Sequence, residues 1–401
     1  MRSFTAISCE MNDIDIICTE LTESLKKNLE LGEHTIGIAI CDSAVDYPQV
    51  IAQLSKLCAF EIIGCTPLGF VHPAEEADIS VSLTVFTGDD DFVCSAALTQ
   101  PITMGNKEQV IAQAYRKARE ALEGEPKLML TMQTYSAEIT PDLTTDILDR
   151  ESNHCPQYGA ISFSDWDTGI SEIFIGGKAY ENRLVILLLG GKLRPVFASE
   201  IAQIKQLQAR AVITEAQNNT VYKVGEHTML DLMKKNGLTA TAEEVVNNCA
   251  MTYTANPVLT YPKGKPEERE LRNVLDVDFE TGAVTFTGSM TKGHELVICA
   301  LTMDAIRRSS MECFENLTAR ILENQKDGYA YSTLFAIVCG GRYLVMAGDP
   351  GTDVTGIRQN AVLHELTLCG FYAMGEICPD IPADGTVLNR ALHSSITLLA
   401  L

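Results

Sequence analysis

Two charged side chains that follow glycines could capture a ligand. Arg342 follows an apolar run and the pair Gly340-Gly341, and Glu376 follows Gly375. A guanidinium group binds a carboxylate through two parallel hydrogen bonds, and a glutamate can hold an ammonium group. Together the two side chains would match the two charges of an amino acid. The alternative is a structural salt bridge, for example between Arg342 and Glu376 themselves.

A second polar pair, Arg272 and Asn273, carries several hydrogen-bond donors and acceptors on adjacent residues. We expect these side chains to line the same pocket as Arg342. Their alternative role is to hold two domains together across an interface.

Cys65 and Cys339 end apolar segments beside glycines, so their thiols are candidates for contact with solvent. An arginine close to Cys339 would lower the pKa of its thiol and make it more reactive, so a thiol-dependent enzyme is one alternative function. Buried, inert cysteines are favoured instead, because most of the 13 cysteines lie in apolar runs and no two form a C-x-x-C pair. This use of cysteine is typical of a reducing compartment.

Motifs for other chemistry are missing from the sequence. It has no G-x-S-x-G, no P-loop and no dinucleotide-binding fingerprint, so we expect no enzymatic activity. The seven histidines show no metal-ligand spacing. A lone histidine could ligate haem iron, and His364 and His393 are the best placed, although a core or surface role is favoured for both.

The charge of the chain excludes several partners. Its 53 acidic and 31 basic residues give a formal net charge of -22. Such a surface repels phosphate backbones and anionic lipids, so we expect no nucleic acid or membrane partner. The first residues form no apolar signal region, and the longest apolar run, 184–189, is too short to span a bilayer. We therefore predict a cytoplasmic protein.

The elements that would position these side chains follow from hydrophobic periodicity. Helical spacing predicts helices over residues 12–31, 47–57, 107–122 and 304–324. A strand–helix–strand run within 35–86 resembles a second one within 334–401, which indicates an internal duplication. We expect an α+β fold with two domains, 1–225 and 226–401. Their mixed or antiparallel sheets would pack in sandwiches with helices outside and a ligand cleft between the domains.

Four short motifs make the chain resemble the FIST family, which is named for F-box and intracellular signal-transduction proteins. They are IGCTPLG at 63–69, LRNVLDVD at 271–278, CGGR at 339–342 and GFYAMGEICP at 370–379. The last is the most specific, because it follows the family pattern Gly-Phe-Tyr-x-x-Gly-Glu-Ile-x-Pro. The resemblance extends from about residue 30 to the end of the chain.

Two positions depart from the family pattern. The family commonly reads His-Asn-x-Thr before the final strand, whereas Ser394 and Ile396 occupy the Asn and Thr places after His393. The usual Asp-Gly near the end of the first half is replaced by Gly225-Glu226. Both departures affect the expected ligand contacts rather than the fold.

The resemblance implies a sensory module of intracellular signalling that binds a small ligand. Amino acids have been proposed as ligands in the family, and some relatives bind haem. The output would be a separate signalling protein, and F-box relatives suggest a scaffold without a ligand as a further alternative. The expected ligand-binding residues are Cys65, Thr66, Arg272, Asn273, Cys339, Arg342, Tyr372 and Glu376.

Overall fold

The structure is a computed structural model that describes residues 1–72, 78–136, 138–164, 169–202, 204–207, 210–241, 251–346, 351–382 and 384–401. Residues 251, 267 and 352 are described through their backbone only.

The helices confirm the predicted helical segments to within a few residues. They are α1 Ile14–Asn28, α2 Tyr47–Leu57, α3 Lys107–Ala121, α4 Pro141–Ser152, α5 Met229–Lys235, α6 Met251–Thr254, α7 Met303–Gln325, α8 Gly340–Val345 and α9 Gly351–Leu363. Side-chain caps fix several starting points: Asp13 accepts a hydrogen bond from the Ile16 amide, and Thr302 accepts one from the Ala305 amide.

The described strands form four sheets. For each sheet the strands are given in spatial order, so that strands next to each other in the text are hydrogen-bonded neighbours. The first sheet contains β1 Arg2–Ser8, β5 Val81–Gly88, β2 His34–Cys41, β3 Glu61–Cys65, β9 Ile173–Ile175 and β10 Lys178–Tyr180. The second contains β25 Leu388–Leu392, β24 Gly375–Asp380, β8 Gln157–Ser162, β7 Pro126–Thr134, β11 Leu184–Gly191 and β6 Phe92–Leu98. The third contains β12 Val196–Ile201, β26 Ser395–Ala400, β22 Thr333–Cys339, β23 Thr367–Ala373 and β4 Gly69–Phe70.

The fourth sheet is built from short strands in the middle of the chain. Its order is β18 Glu270–Arg272, β17 Val258–Tyr261, β21 Glu295–Ala300, β14 Ala211–Gln217, β15 Thr220–Val224, β20 Val284–Phe286 and β19 Val274–Val277. Two further strands, β13 Lys205–Gln206 and β16 His227–Thr228, pair with β21 and β15.

The first three sheets enclose one shared apolar core. Alternate residues of their strands point into it, for example Ile36 and Ile38 of β2 and Phe335 and Ile337 of β22. Helices α1 and α2 cover the outer face of the first sheet, α3 and α4 that of the second, and α7 and α9 that of the third. The predicted α+β fold with its helices outside is therefore confirmed.

One strand–helix–strand arrangement occurs three times. β2–β3, β7–β8 and β22–β23 are parallel pairs, and each first strand also pairs antiparallel with a later strand, β5, β11 or β26. In each pair a glycine of the second strand lies against the backbone carbonyl of its partner residue, so a Cβ atom there would collide with it; these are Gly64, Gly159 and Gly370. The predicted similarity of 35–86 and 334–401 thus matches the topology and extends to a third unit within 126–191.

Strands cross the predicted domain boundary between residues 225 and 226. β4 and β12 precede the boundary but complete the third sheet, whose other strands follow it. β24 and β25 follow the boundary but complete the second sheet. The boundary itself stays a prediction, and the two halves share sheets across it.

Candidate ligand-binding site

The Arg342 side chain lies inside the protein, with no exposed surface. Its N–H groups are donated to Asp353, Ser309, Ser310 and the carbonyl groups of Ile306 and Ser394. Two of these bonds join it to both carboxylate oxygens of Asp353, at 3.0 and 2.9 Å. No donor is left for a ligand, so the expectation that this guanidinium emerges at an open cleft is not met.

The local backbone explains the position of Arg342. In the sequence, Gly340-Gly341 directly follow the apolar run that forms β22. In the structure these glycines begin α8, which directs Arg342 towards α7 and α9. A Cβ atom on Gly341 would come within 3.0 Å of the Asn273 side chain, so the start of this helix is tightly packed.

Glu376 is equally inaccessible but is not paired with Arg342. The Ser395 hydroxyl donates a hydrogen bond of 2.6 Å to its Oε2 atom. Burial raises the pKa of the Glu376 carboxyl to about 8, and the Ser395 hydroxyl and the Cys339 thiol offset only part of this increase. Among the described side chains, the ion pair of Arg342 is formed with Asp353. The two residues therefore do not form an accessible pocket for an amino acid.

Neither candidate thiol is accessible. Cys65 and Cys339 are at most 1% exposed, and burial raises the pKa of both thiols. Arg342 acts in the opposite direction on Cys339, but burial and the neighbouring Glu376 outweigh it. Both strands end inside the core, so the two thiols are buried, which is the role that the sequence favours for them.

Thr66 and Tyr372 connect strands rather than line an open space. The Thr66 and Ser162 hydroxyl oxygens lie 3.0 Å apart, which links the end of β3 to β8. The Tyr372 ring packs against Tyr343 with 5.2 Å between ring centroids, and its carbonyl accepts a hydrogen bond from the Leu68 amide. The contacts found for these two residues are structural.

Arg272 joins two parts of the molecule that are far apart in sequence. It is 1% exposed, and its Nη2 atom donates to Asp142 of α4 at 3.0 Å and to Glu270 at 2.6 Å. The second oxygen of Asp142 accepts a hydrogen bond from the Ser289 amide. A side chain at Gly288 would collide with the guanidinium. Arg272 thus connects the fourth sheet to the helix that covers the second sheet.

Asn273 extends this connection to the turn between β25 and β26. Its Oδ1 atom accepts a hydrogen bond of 3.0 Å from the Ser394 hydroxyl. Its amide donates to the Thr287 hydroxyl, and its carbonyl accepts from the Thr287 amide. The structure thus groups Asn273, Cys339, Arg342 and Glu376 around Ser394 and Ser395, in an interior network without an opening.

His393, in the same turn, is buried but unsatisfied. It is 1% exposed, and neither ring nitrogen has a hydrogen-bond partner among the described residues. Burial, with a further contribution from Arg272, lowers the pKa of His393 well below its usual value, so the ring is neutral. A neutral imidazole offers one N–H donor and one acceptor nitrogen. A residue of this kind at the edge of a cavity indicates a missing partner.

The cavity beside His393 is a groove of about 400 Å³, which we call the His393 groove. Residues of α4, of β25 and of the fourth sheet, including its strand β18, line the groove. Among them are Asp142, Asp146, Arg269, Glu270, Arg272, Ser289, His294, Arg390 and His393. On another side, His393 borders a cavity of about 10 Å³, which has room for about one water molecule.

The charges in the His393 groove are incompletely compensated. Burial raises the pKa of Asp146 and of Glu270, and the neighbouring Asp142 contributes to both increases. Arg269 and Arg390, both exposed, also line the groove. Arg390 has only a 3.7 Å contact with Asp380, and such an exposed pair contributes little to stability. The groove therefore presents both signs of charge to a ligand.

The two histidines that the sequence suggests for haem do not fit that group. The Nε2 atom of His364 lies 3.2 Å from the Thr318 hydroxyl. His393 faces the small cavity and the charged groove rather than an apolar slot wide enough for a porphyrin. Among the residues that the structure describes, no group of histidine, cysteine and carboxylate side chains is arranged to hold a metal ion.

Several residues of this region cannot be found from the sequence. Asp142 follows Thr140-Pro141, a pattern typical of a helix start, and no local signal marks its bond to a side chain 130 positions later. Asp353 and Ser395 carry no local signal either, because their partners Arg342 and Glu376 lie on other elements of the fold. The sequence names His393 as a candidate haem ligand and favours a core or surface role for it.

Comparison with known families covers most of the chain. The model of the FIST N domain matches residues 35–227, and the model of the FIST C domain matches residues 230–379. All four motifs of the resemblance lie inside these matches. No curated protein matches the chain. Across the described ranges, no helix combines the length and the apolarity that a membrane span requires.

Proposed function

Because the chain belongs to the FIST family, whose domains serve as sensory domains in signal transduction, we propose that it binds a small zwitterionic ligand such as an amino acid in the His393 groove. This location differs from the Arg342–Glu376 pocket expected from the sequence. It keeps the predicted ligand class, and one of the predicted residues, Arg272, lines the groove.

The observation that carries the proposal is the unsatisfied imidazole of His393. A buried polar group without a partner costs about 1–3 kcal/mol. This cost is recovered if a ligand, or a water molecule held by a ligand, bonds to the ring. The groove beside it, of about 400 Å³, falls in the size range of small-molecule sites.

The charges of the His393 groove support a ligand with both signs of charge. An ammonium group next to Asp146 and Glu270 would relieve the repulsion among the carboxylates there. A carboxylate could exchange the weak Asp380 contact of Arg390 for a bidentate one. Arg272 would act indirectly, by holding the walls of the groove in place.

A ligand at this position touches both halves of the chain. One wall is α4, which covers the second sheet, and the facing wall includes β18 of the fourth sheet. A ligand that bonds to both walls favours one relative arrangement of them over others. A separate signalling protein would then detect the favoured arrangement.

Binding of the twenty amino acids to the full chain, measured by thermal shift and calorimetry, tests the proposal. A ligand present at about 100 times its dissociation constant should add ~2.7 kcal/mol to the free energy of unfolding. We expect Asp146→Asn and Arg390→Gln each to weaken binding about tenfold or more, because each removes one charge contact.

The matched control is Arg116→Gln, because Arg116 is an exposed arginine of α3 that pairs with Glu151 away from the groove. It should bind like the wild-type protein. The proposal fails if no amino acid binds, or if the Asp146 and Arg390 variants bind as tightly as this control.

A further inference from the structure

The third sheet has an open edge at β12. The spatial order of this sheet places β12 at its end, with β26 on one side only. An edge strand carries backbone N–H and C=O groups that another strand can pair with. The backbone groups of β12 that point outward can be identified from the pairing of its neighbours.

The hydrogen bonds between β26 and β22 show which residues of β26 direct their backbone groups towards β12. Thr333 and Leu401 exchange two backbone bonds, of 2.9 and 3.0 Å, so odd-numbered residues of β26 face β22. Its even-numbered residues consequently face β12, where they pair with Val196, Ala198 and Glu200. The backbone groups of Phe197, Ser199 and Ile201 therefore point away from the sheet.

One hydrogen bond supports this assignment. The Phe197 carbonyl accepts a hydrogen bond of 2.8 Å from Arg320 of α7, which requires it to point outward. For the backbone groups of Ser199 and Ile201 we find no partner within the described part of the chain. Two successive outward positions of β12 are thus available for pairing.

A groove of about 720 Å³ runs along this open edge, and we call it the β12 groove. One wall is α7, with Glu312 and with Asn316 bonded to Glu200 at 2.8 Å. The other wall is apolar where Leu271 of β18 and Leu392 of β25 line it, and Arg269, Asp380 and Arg390 lie at its charged parts. A strand laid along β12 would have its alternate side chains on these two different walls.

We infer that the β12 groove binds an extended segment of a partner protein, which adds to the third sheet as a strand of roughly five residues with basic and apolar side chains in alternation. The basic side chains would face Glu200 and Glu312, and the apolar ones Leu271 and Leu392. The net charge of -22 also favours a basic partner.

A second copy of the chain is a poorer occupant of this groove. Pairing of β12 with β12 from another copy would bring the Glu200 and Glu312 carboxylates of both copies close together. Like charges across such an interface are unfavourable. The charges thus favour a basic peptide over a second copy of the chain as the occupant of the groove.

The test selects peptides from a phage-displayed random library on the full chain and measures the selected peptides by fluorescence anisotropy. We expect alternating basic and apolar residues among them. Ser199→Pro removes one outward N–H group at an edge position that tolerates proline, and it should weaken binding about tenfold. Ser199→Ala is the matched control, since it loses the same hydroxyl and keeps the N–H group, and it should bind normally.

Two further measurements decide the outcome if Ser199→Pro does not fold. Methylation of the peptide amides whose N–H groups face β12 should abolish binding. Methylation of the alternate amides, whose N–H groups face away from β12, should leave binding unchanged. Glu312→Lys should weaken the basic peptides. The inference is overturned if no peptide is enriched or if methylation of either set of amides changes the affinity equally. It is also overturned if the only association that depends on β12 is between copies of the chain.

This inference does not depend on the ligand proposed for the His393 groove. The two grooves share the lining residues Ile201, Arg269, Leu271, Arg390 and Leu392, but Asp146 lines only the His393 groove and Ser199 only the β12 groove. Asp146→Asn therefore leaves the β12 groove intact, and Ser199→Pro leaves the charges of the His393 groove in place. The two proposals can therefore fail separately.

Discussion

The interior network around Arg342 and the His393 groove contain similar residue types but differ in how completely their polar groups are bonded. In the interior network, every N–H group of Arg342 has a partner, and Asp353 receives bonds on both oxygens. In the groove, His393 has no partner among the described residues, and burial and the neighbouring Asp142 carboxylate both raise the pKa of Asp146. The comparison shows that side chains of the same charge type can be fully bonded in one region and lack partners in another, so charge type alone does not identify a binding site.

The largest expected effect concerns the interior network. Asp353→Ala leaves the Arg342 guanidinium buried without its counter-charge, so the free energy of unfolding should fall by about 3–5 kcal/mol in urea denaturation. The double variant Arg342→Met/Asp353→Leu removes both charges and should lose less. Arg390→Gln, at an exposed arginine, should unfold like the wild-type protein.

If Asp353→Ala were as stable as the wild-type protein, the ion pair of Arg342 and Asp353 would not stabilise the fold. The contrast between the interior network and the His393 groove would then not hold. A double variant less stable than the single one would have the same consequence.

The next effect is a dependence of stability on pH through Glu376. Its folded-state pKa of about 8 lies above the usual value of 4.5, so the folded protein keeps a proton that the unfolded chain releases between these values. The stability contributed by this group is complete below pH 4.5 and is lost as the pH rises through 8. Over that range the free energy of unfolding should fall by roughly 1 kcal/mol per pH unit.

The variant Glu376→Gln removes this titration and keeps an acceptor for the Ser395 hydroxyl. Urea denaturation at several pH values should therefore show a flatter profile for the variant than for the wild-type protein. Parallel profiles would show that Glu376 does not hold a proton in the folded state.

The smallest effect on stability is expected at His393. His393→Leu breaks no hydrogen bond among the described residues and removes an unpaired buried polar group, so the free energy of unfolding should not fall. Its effect on amino-acid binding should nevertheless be large, because the anchor of the ligand is lost. Calorimetry and urea denaturation of the same preparation measure both quantities.

Ser395→Ala provides the contrast, since it removes a bonded hydroxyl from the interior network and should cost more stability than His393→Leu. A loss of several kcal/mol in His393→Leu would instead place His393 among the structural residues.

Local sequence patterns are sufficient for much of the fold. Helical spacing predicts α1, α2, α3 and α7, because each helix buries one apolar stripe against a sheet. The similarity of two chain segments matches the repeated topology. The motif pair Arg272-Asn273 does lie at an interface between distant segments, which is one of the two roles that the sequence suggests for it.

The site is less predictable, because its contacts depend on tertiary structure. Gly340-Gly341 is compatible with an open turn and with a helix start, and only packing against Asn273 and Cys339 distinguishes them. The partner of Arg342 is supplied by α9, and that of Arg272 by α4. An unsatisfied histidine cannot be recognised in a sequence at all, since it is defined by the groups that do not reach it.

The placement of β12 also has a consequence for synthesis on the ribosome. Its pairing partner β26 begins at Ser395, almost 200 residues after β12 ends at Ile201. At 5–20 residues per second, the ribosome needs roughly 10–40 s to make the intervening chain. During this interval β12 lacks its one native neighbour, so both of its edges are open to pairing with other strands.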